Sequence, residues 1–182
     1  MKVEEIIVVA CNMIGENSFA EKITSGAVLT ADELEKKQKF LRCFNLIQSE
    51  VATEFFPLTT KEQIASENGE FELSKLTKNF VYVVSLKDSS GDKIRFKIQG
   101  NKLAFEGKGE IEYCYDPTEA QISDTVEVKV PKRVLAYGVL REFYLLEDMP
   151  TEASMMEEKF KNSILALSSN KRSIVTPKRT WM

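Results

Sequence analysis

Apolar residues open the chain at three-to-four spacing: Val3, Ile6, Ile7, Ala10, Cys11 and Ile14. That period places them on one face of a helix over residues 2–15, with Gly15 able to take the left-handed turn that stops it. A polar stretch with Ser18, Thr24, Ser25 and Gly26 reads as a connector. Thr30-Ala31-Asp32-Glu33 is then a capping box, in which hydroxyl and carboxylate satisfy each other's unpaired backbone donors. It predicts a long helix to residue 56, about 35–40 Å in length. Leu34, Leu41, Phe44, Ile47, Val51 and Phe55 form its stripe, and Pro57 ends it.

Beyond Pro57 the period shortens to two. Phe71 and Leu73 alternate with polar residues, and the segment 80–86 is rich in β-formers. The cluster KDSSGD at 87–92 reads as a turn, followed by Ile94, Phe96 and Ile98 alternating with Arg95 and Lys97. This pattern predicts a hairpin. Gly100-Asn101 and Gly107-Lys108-Gly109 punctuate two further short strands, 102–105 and 110–115, and Asp116-Pro117 closes the run. One small antiparallel sheet of three to five strands is expected.

Helical periodicity then returns. Pro131 suits a helix start, and Val134, Leu135, Ala136, Tyr137, Val139, Leu140, Phe143, Tyr144, Leu145 and Leu146 leave the helix over 133–146 little polar face. Such a helix lies at a bundle centre or against a neighbouring subunit. After Asp148-Met149-Pro150, Thr151 caps a last helix with the stripe Ala153, Met156, Phe160, Ile164 and Leu167. Neither helical half buries its stripe alone, so the halves must pack across the β segment. The expected fold class is α+β: a four-helix bundle (1–56 and 131–168) interrupted by a small antiparallel β-sheet subdomain (57–130). An extended basic C-terminal arm (169–182) completes it.

Composition narrows the chemistry. Hydrophobic and charged fractions of 43% and 29% in 182 residues fit one soluble globular domain with an insertion. No apolar run approaches the roughly 18–20 residues of a membrane span. The first ten residues read as neither signal nor transit peptide, so a cytosolic setting is expected. Cys11, Cys43 and Cys114 are an odd set without CxxC spacing, expected as reduced, buried thiols rather than a disulfide framework or zinc site. There is no histidine, which removes Ser-His and Cys-His nucleophile pairs and the commonest metal ligand. The glycines form neither GxGxxG nor GxxxxGK[ST]. The carboxylate pairs Glu4/Glu5, Glu33/Glu35 and Glu157/Glu158 fall near helix starts or solvent faces, where they complement the helix dipole. The basic and aromatic run 93–102 is first a half-buried strand, since its cations share one face; a single-stranded nucleic-acid platform is the rival reading. The expectation is a protein without catalytic, cofactor or metal residues.

The end of the chain, SSNKRSIVTPKRTWM, carries four basic residues, no acid and the only Trp, in a chain of net charge −3. Ile174, Val175 and Trp181 interrupt the charges, and Pro177 favours extended backbone. Extended basic-apolar arms suit insertion into a partner's groove, with Arg and Trp as anchors. The segment is expected to dock onto a partner; a nucleic-acid partner stays open at this point.

Several local runs carry a family likeness. They are Leu41-Arg42-Cys43-Phe44-Asn45-Leu46 leading to Phe56-Pro57-Leu58, and Val130-Pro131 followed by Val134-Leu135-Ala136-Tyr137-Gly138. The helix segment Glu152-Ala153-Ser154-Met155-Met156 and the basic end closing on Trp181 complete the set. With two helices, a β insertion, two helices and a basic arm, the chain resembles the head-to-tail adaptor (connector) proteins of tailed bacteriophages, among them the podoviral type called tail tubular protein A. The resemblance implies a virion structural protein without enzymatic activity or cofactor, made in the host cytoplasm and placed at the head–tail interface. It implies a self-assembled ring, normally dodecameric, that binds the portal protein, extends the DNA channel and receives the tail or the next connector ring. DNA would pass without sequence-specific binding, and no membrane is involved. Carried over, Lys171, Arg172, Ile174, Val175, Lys178, Arg179 and Trp181 become portal contacts. Lys87, Asp88, Ser89, Ser90, Gly91 and Asp92 become a tail-side or inter-subunit contact. The alternative from another class is a non-viral or host-directed protein-binding or regulatory module acting through the same arm.

Overall fold

The computed structural model describes residues 1–171. The fold mixes α and β: five helices with two antiparallel sheets of three strands each. In chain order they are α1 (Val3–Met13), α2 (Asn17–Ser25), α3 (Ala31–Glu50), β1 (Thr59–Ala65), β2 (Glu70–Glu72), β3 (Asn79–Lys87), β4 (Lys97–Gln99), β5 (Lys102–Ala104), β6 (Lys108–Asp116), α4 (Lys132–Leu146) and α5 (Pro150–Lys171).

The capping box forms as the sequence requires. Thr30 Oγ1 accepts from Glu33 N at 3.3 Å, and Thr30 N donates to Glu33 Oε2 at 2.9 Å. Downstream the long helix departs from expectation. Regular α geometry ends at Glu50, and Val51–Phe55 form one wider π turn before Pro57. The buried face also runs differently, through Phe40, Cys43, Phe44, Ile47 and Gln48, while Leu34 lies half exposed. At the other end of the insertion, Pro131 is the N-cap of α4, as its fixed φ suggests. The last helix begins at Pro150, one residue ahead of the expected Thr151 cap, after Asp148 in the left-handed region (φ 54°).

The supposed connector 16–26 is a helix, so the described residues hold five helices rather than four. Phe19, Ala20 and Ile23 supply a short apolar face that is buried. Gly26 (φ 68°) terminates α2 in the left-handed conformation, its N–H reaching Ile23 O at 3.3 Å.

α4 packs against α1, α3 and α5 and is the centre of the helical part. One continuous core joins the helices to Ala120, Val126, Val128 and Val130 from the segment leading into α4. That segment also closes the start of α1. Val3 N donates to Asp124 O and Glu4 N to Ile122 O, both at 3.0 Å, while Val126 N donates to Met1 O at 3.0 Å. Donors that a helix start leaves without intrahelical partners are thereby satisfied.

Gly138 sets the α3–α4 approach. A Cβ there would lie 2.8 Å from Ile47 Cγ2 and 3.0 Å from its Cδ1. Ala is intrinsically better than Gly in a helix by about 1 kcal/mol, yet the contact dominates. Gly138→Ala is expected to destabilise by about 1–3 kcal/mol. In an Ile47→Ala background the same change should be neutral or stabilising, a coupling that urea melts of the double-mutant cycle will read.

The expected single sheet is two. The larger has the order β1-β6-β3, the smaller β2-β5-β4. The expected hairpin between 80–86 and 94–98 shrinks to its neck, where Lys87 bridges Lys93 and Ile94 N donates to Leu86 O at 2.9 Å. β3 instead pairs with the nine-residue β6 along its length, shifting register twice, between Phe80 and Tyr82 and between Val83 and Ser85. The turn at 87–92 brings its flanks together locally. The distant β6 wins because its Ile111 and Tyr113 place β3 over a second core with Ile64, Leu73, Leu76, Leu86, Leu103 and Phe105. Gly109 permits the closest approach, since a Cβ there would lie 2.7 Å from Lys87 O.

Candidate functional site

The residues with the strongest sequence case for contact fall into two groups. Of the arm, Arg172, Ile174, Val175, Lys178, Arg179 and Trp181 lie outside the described residues, and Lys171 is the last residue of α5. Ser168, near the end of α5, lines a surface cavity of about 430 Å³ together with Phe55, Pro57, Leu58, Thr59 and Lys129. Its walls come from the π turn and the connection into β1, from the segment before α4, and from α5.

The turn 87–92 is a closed, exposed loop. Asp88 Oδ1 accepts from Ser90 N at 2.8 Å and from Asp92 N at 2.9 Å, while Asp88 N donates to Asp92 O at 2.9 Å. Gly91 (φ 90°) takes the position that L side chains avoid, and its N–H reaches Asp88 O at 3.1 Å. Asp88 therefore organises the loop rather than pointing outward as a free charge. Lys87, at the base, is half-buried, and Ser89, Ser90, Gly91 and Asp92 are exposed.

In each acidic pair considered for chemistry at least one carboxylate has a structural partner. Lys2 N donates to Glu5 Oε1 at 3.1 Å, closing the start of α1. Glu33 completes its capping box and accepts from Lys22 Nζ at 2.6 Å. These bonds, first from Lys22 and then from the Thr30 backbone, hold the Glu33 carboxyl below its ordinary range. Glu35 lies 3.7 Å from Lys39 one helical turn on. Glu157 binds Arg141 at 2.7 Å and Lys161 at 2.6 Å.

Deeper polar groups serve the same end. Tyr113 Oη and Thr77 Oγ1 both donate to Glu62 across the larger sheet, and Thr77 N adds a bond of 3.2 Å. Burial pushes the Glu62 carboxyl up, but these donors outweigh it and hold the group below its usual range. Cys11, Cys43 and Cys114 are buried and free of disulfides. Burial pushes the Cys11 and Cys43 thiols up to about 12, so neither is a thiolate nucleophile near neutrality. Among the described residues no group of three or more His, Cys, Asp or Glu side chains is placed to hold a metal ion. No helix among them is long and apolar enough to cross a membrane.

In the basic-aromatic run, Ile94 and Phe96 lean into the β core while Arg95 and Lys97 are exposed, but only Lys97–Gln99 form a strand and that strand is exposed throughout, so the expected half-buried strand is not formed. Ile98, on the face expected to be buried, is exposed. Comparison with known proteins finds no family model and no curated protein that matches the chain.

Two polar residues escaped the sequence reading. Gln48 sits on the buried face of α3 between Phe44 and Val51 and is only 2% exposed. Asp116, taken only as the end of the sheet, carries a buried carboxylate oxygen. A polar residue on a buried stripe was the available signal for Gln48; Asp116 offered none, because Asp-Pro is an ordinary strand terminator.

Proposed function

We propose that this chain is a head-to-tail adaptor of a tailed bacteriophage, a virion structural protein without catalytic chemistry. It assembles as a ring beneath the portal, extends the DNA channel, and joins the capsid to the tail or the next ring. In this reading α1, α3, α4 and α5 are the bundle of the ring subunit, with α2 an added short helix. The β module stands towards the tail side or a neighbouring subunit, with the turn 87–92 as its contact. The basic arm fastens the subunit to the portal through Lys171, Arg172, Ile174, Val175, Lys178, Arg179 and Trp181. The net charge of −3 suits a channel through which DNA must slide rather than stick.

The observation that carries this reading is the interruption of one helical core by a β module between α3 and α4, in a chain ending in a basic arm after α5. The experiment is retention by the portal protein encoded in the same genome. Full-length protein is expected to co-purify with portal, and a chain ending at Ser169 to lose at least about tenfold in recovery, as loss of an Arg/Trp anchor cluster implies. Equal recovery of the two would remove the arm from the interface. Absence of portal, major capsid and large terminase genes from the whole replicon would remove the adaptor reading itself.

A further inference from the structure

Between the middle of α3 and the segment following β6 lies a cavity of about 460 Å³, lined by Arg42, Asn45, Leu46, Gln48, Ser49, Asp116, Pro117, Thr118 and Glu119. Its two walls are held together. Ala120 N donates to Asn45 Oδ1 at 2.8 Å, and Asn45 Nδ2 donates back to Ala120 O at 3.3 Å. Two lining side chains hold orphaned acceptors: Gln48 Oε1 and Asp116 Oδ1 are buried and have no hydrogen-bond partner among the described residues. Buried polar atoms are satisfied in the great majority of cases, so two orphans on one cavity call for a donor that the described residues do not supply. Elsewhere in this protein, carboxylates of comparable burial are fully engaged, as around Arg141.

We propose that this cavity binds a guanidinium group of the arginine type, with the Asp116 carboxylate and the Gln48 amide oxygen as its acceptors. The chemistry selects the guanidinium. Both orphans accept, and one is a carboxylate with the Glu119 carboxylate nearby on the rim, so the ligand must donate and be cationic. A planar fork of five N–H donors serves a carboxylate and an adjacent amide together, whereas a lysine ammonium is a point charge that gives up its water reluctantly. Pro117 and the exposed Leu46 offer apolar surface to the aliphatic stem. Both acceptors are buried, so engagement requires the Gln48 and Asp116 side chains to re-orient towards the cavity about their χ torsions. Arg42 lines the cavity and has no partner among the described residues, so its guanidinium is an in-chain competitor for the same acceptors. This inference is independent of the adaptor reading and rests on the cavity alone.

The test is titration of the isotope-labelled full-length protein with N-acetyl-arginine amide, following the Gln48 side-chain amide resonances. N-acetyl-citrulline amide (the neutral isostere) and N-acetyl-lysine amide are the comparison arms. A saturable shift with the arginine probe is expected, weakened about tenfold or more with citrulline and by Asp116→Asn, the scale of losing a charged hydrogen-bond partner. Arg42→Gln should leave the shift intact or strengthen it. Absence of saturation, equal response to citrulline or lysine, or loss of the response in Arg42→Gln would overturn the proposal. Folding supplies a second readout. Gln48→Met should raise the thermal midpoint, because it removes a buried, unpartnered amide oxygen; a lowered midpoint would mean that oxygen is already satisfied internally, and would overturn the proposal equally.

Discussion

Arg141→Ala is expected to cost about 3–5 kcal/mol of folding stability at pH 7, the range for breaking a buried ion pair on one side. Arg141 lies on α4, its side chain only 13% exposed, and binds carboxylates from three places. Glu50 at the end of α3 is held by both terminal nitrogens, Glu157 of α5 by Nη1 at 2.7 Å, and Glu142 by Nε at 2.8 Å. Its guanidinium also stacks over Phe160, 5.4 Å from the ring centroid. Burial works against the charged form, but the bonds to Glu50 and Glu157 outweigh it and raise the Arg141 pKa. Truncation would leave three glutamates around an empty space, with Lys161 as the remaining cation on Glu157.

The pH dependence separates this charge effect from lost packing. Burial raises the Glu157 pKa, but the bonds from Lys161 and Arg141 bring it below the ordinary value. A depressed folded pKa gives stability that is present above the unfolded value, about 4.3, and lost as pH falls through the folded one. Wild type should therefore weaken on acidification below about pH 4. In Arg141→Ala the Glu157 carboxyl loses one of the two partners that depress its pKa, so the variant has less stability to lose than wild type as pH falls from 7 to about 3. Its deficit should narrow over that window in urea denaturation at the two pH values. A deficit equal at both would assign the loss to packing around Phe160.

Phe40→Ala is expected to be comparably severe, about 3–5 kcal/mol. Phe40 is fully buried in α3, with its ring stacked on Phe143 of α4 at 4.4 Å between centroids and 4° between planes, and Phe19 of α2 is 6.4 Å away. The three rings tie three helices together, and a domain of this size has only about 5–15 kcal/mol to lose. The short α2 relies on this contact, having only Phe19, Ala20 and Ile23 buried. Hydrogen exchange should show α2 amides losing protection before those of α4. Phe40→Leu should recover more than half of the loss, because most of the volume is restored.

α1, α3, α4 and α5 were legible because each carries an apolar stripe over several turns, and because Thr30 and Pro131 mark their starts chemically. α2 was hidden: three apolar residues among serines and threonines do not make a period, and its stability comes from Phe40, which lies downstream. The strands were visible as alternation, but their partners were not. A turn cluster such as 87–92 advertises only the neighbours it joins, whereas β3 finds β6 some twenty residues away through the shared core at Tyr113. The Gln48–Asp116 cavity joins positions remote in sequence and arises only once α3 and the end of β6 are side by side. The arm remains a reading of composition, since all but its first residues lie outside the described ones.

The β region enters and leaves the helical part through one doorway. Thr59, at its start, pairs with Cys114 near its end, Tyr115 N reaches back to Leu58 O at 3.0 Å, and Cys114 Sγ lies 3.7 Å from Ala52 O. To the helices, the whole excursion is therefore equivalent to a tight loop, however long the chain beyond the doorway becomes. Mutation and recombination can lengthen, trim or exchange what stands outside without disturbing the register of α3 against α4.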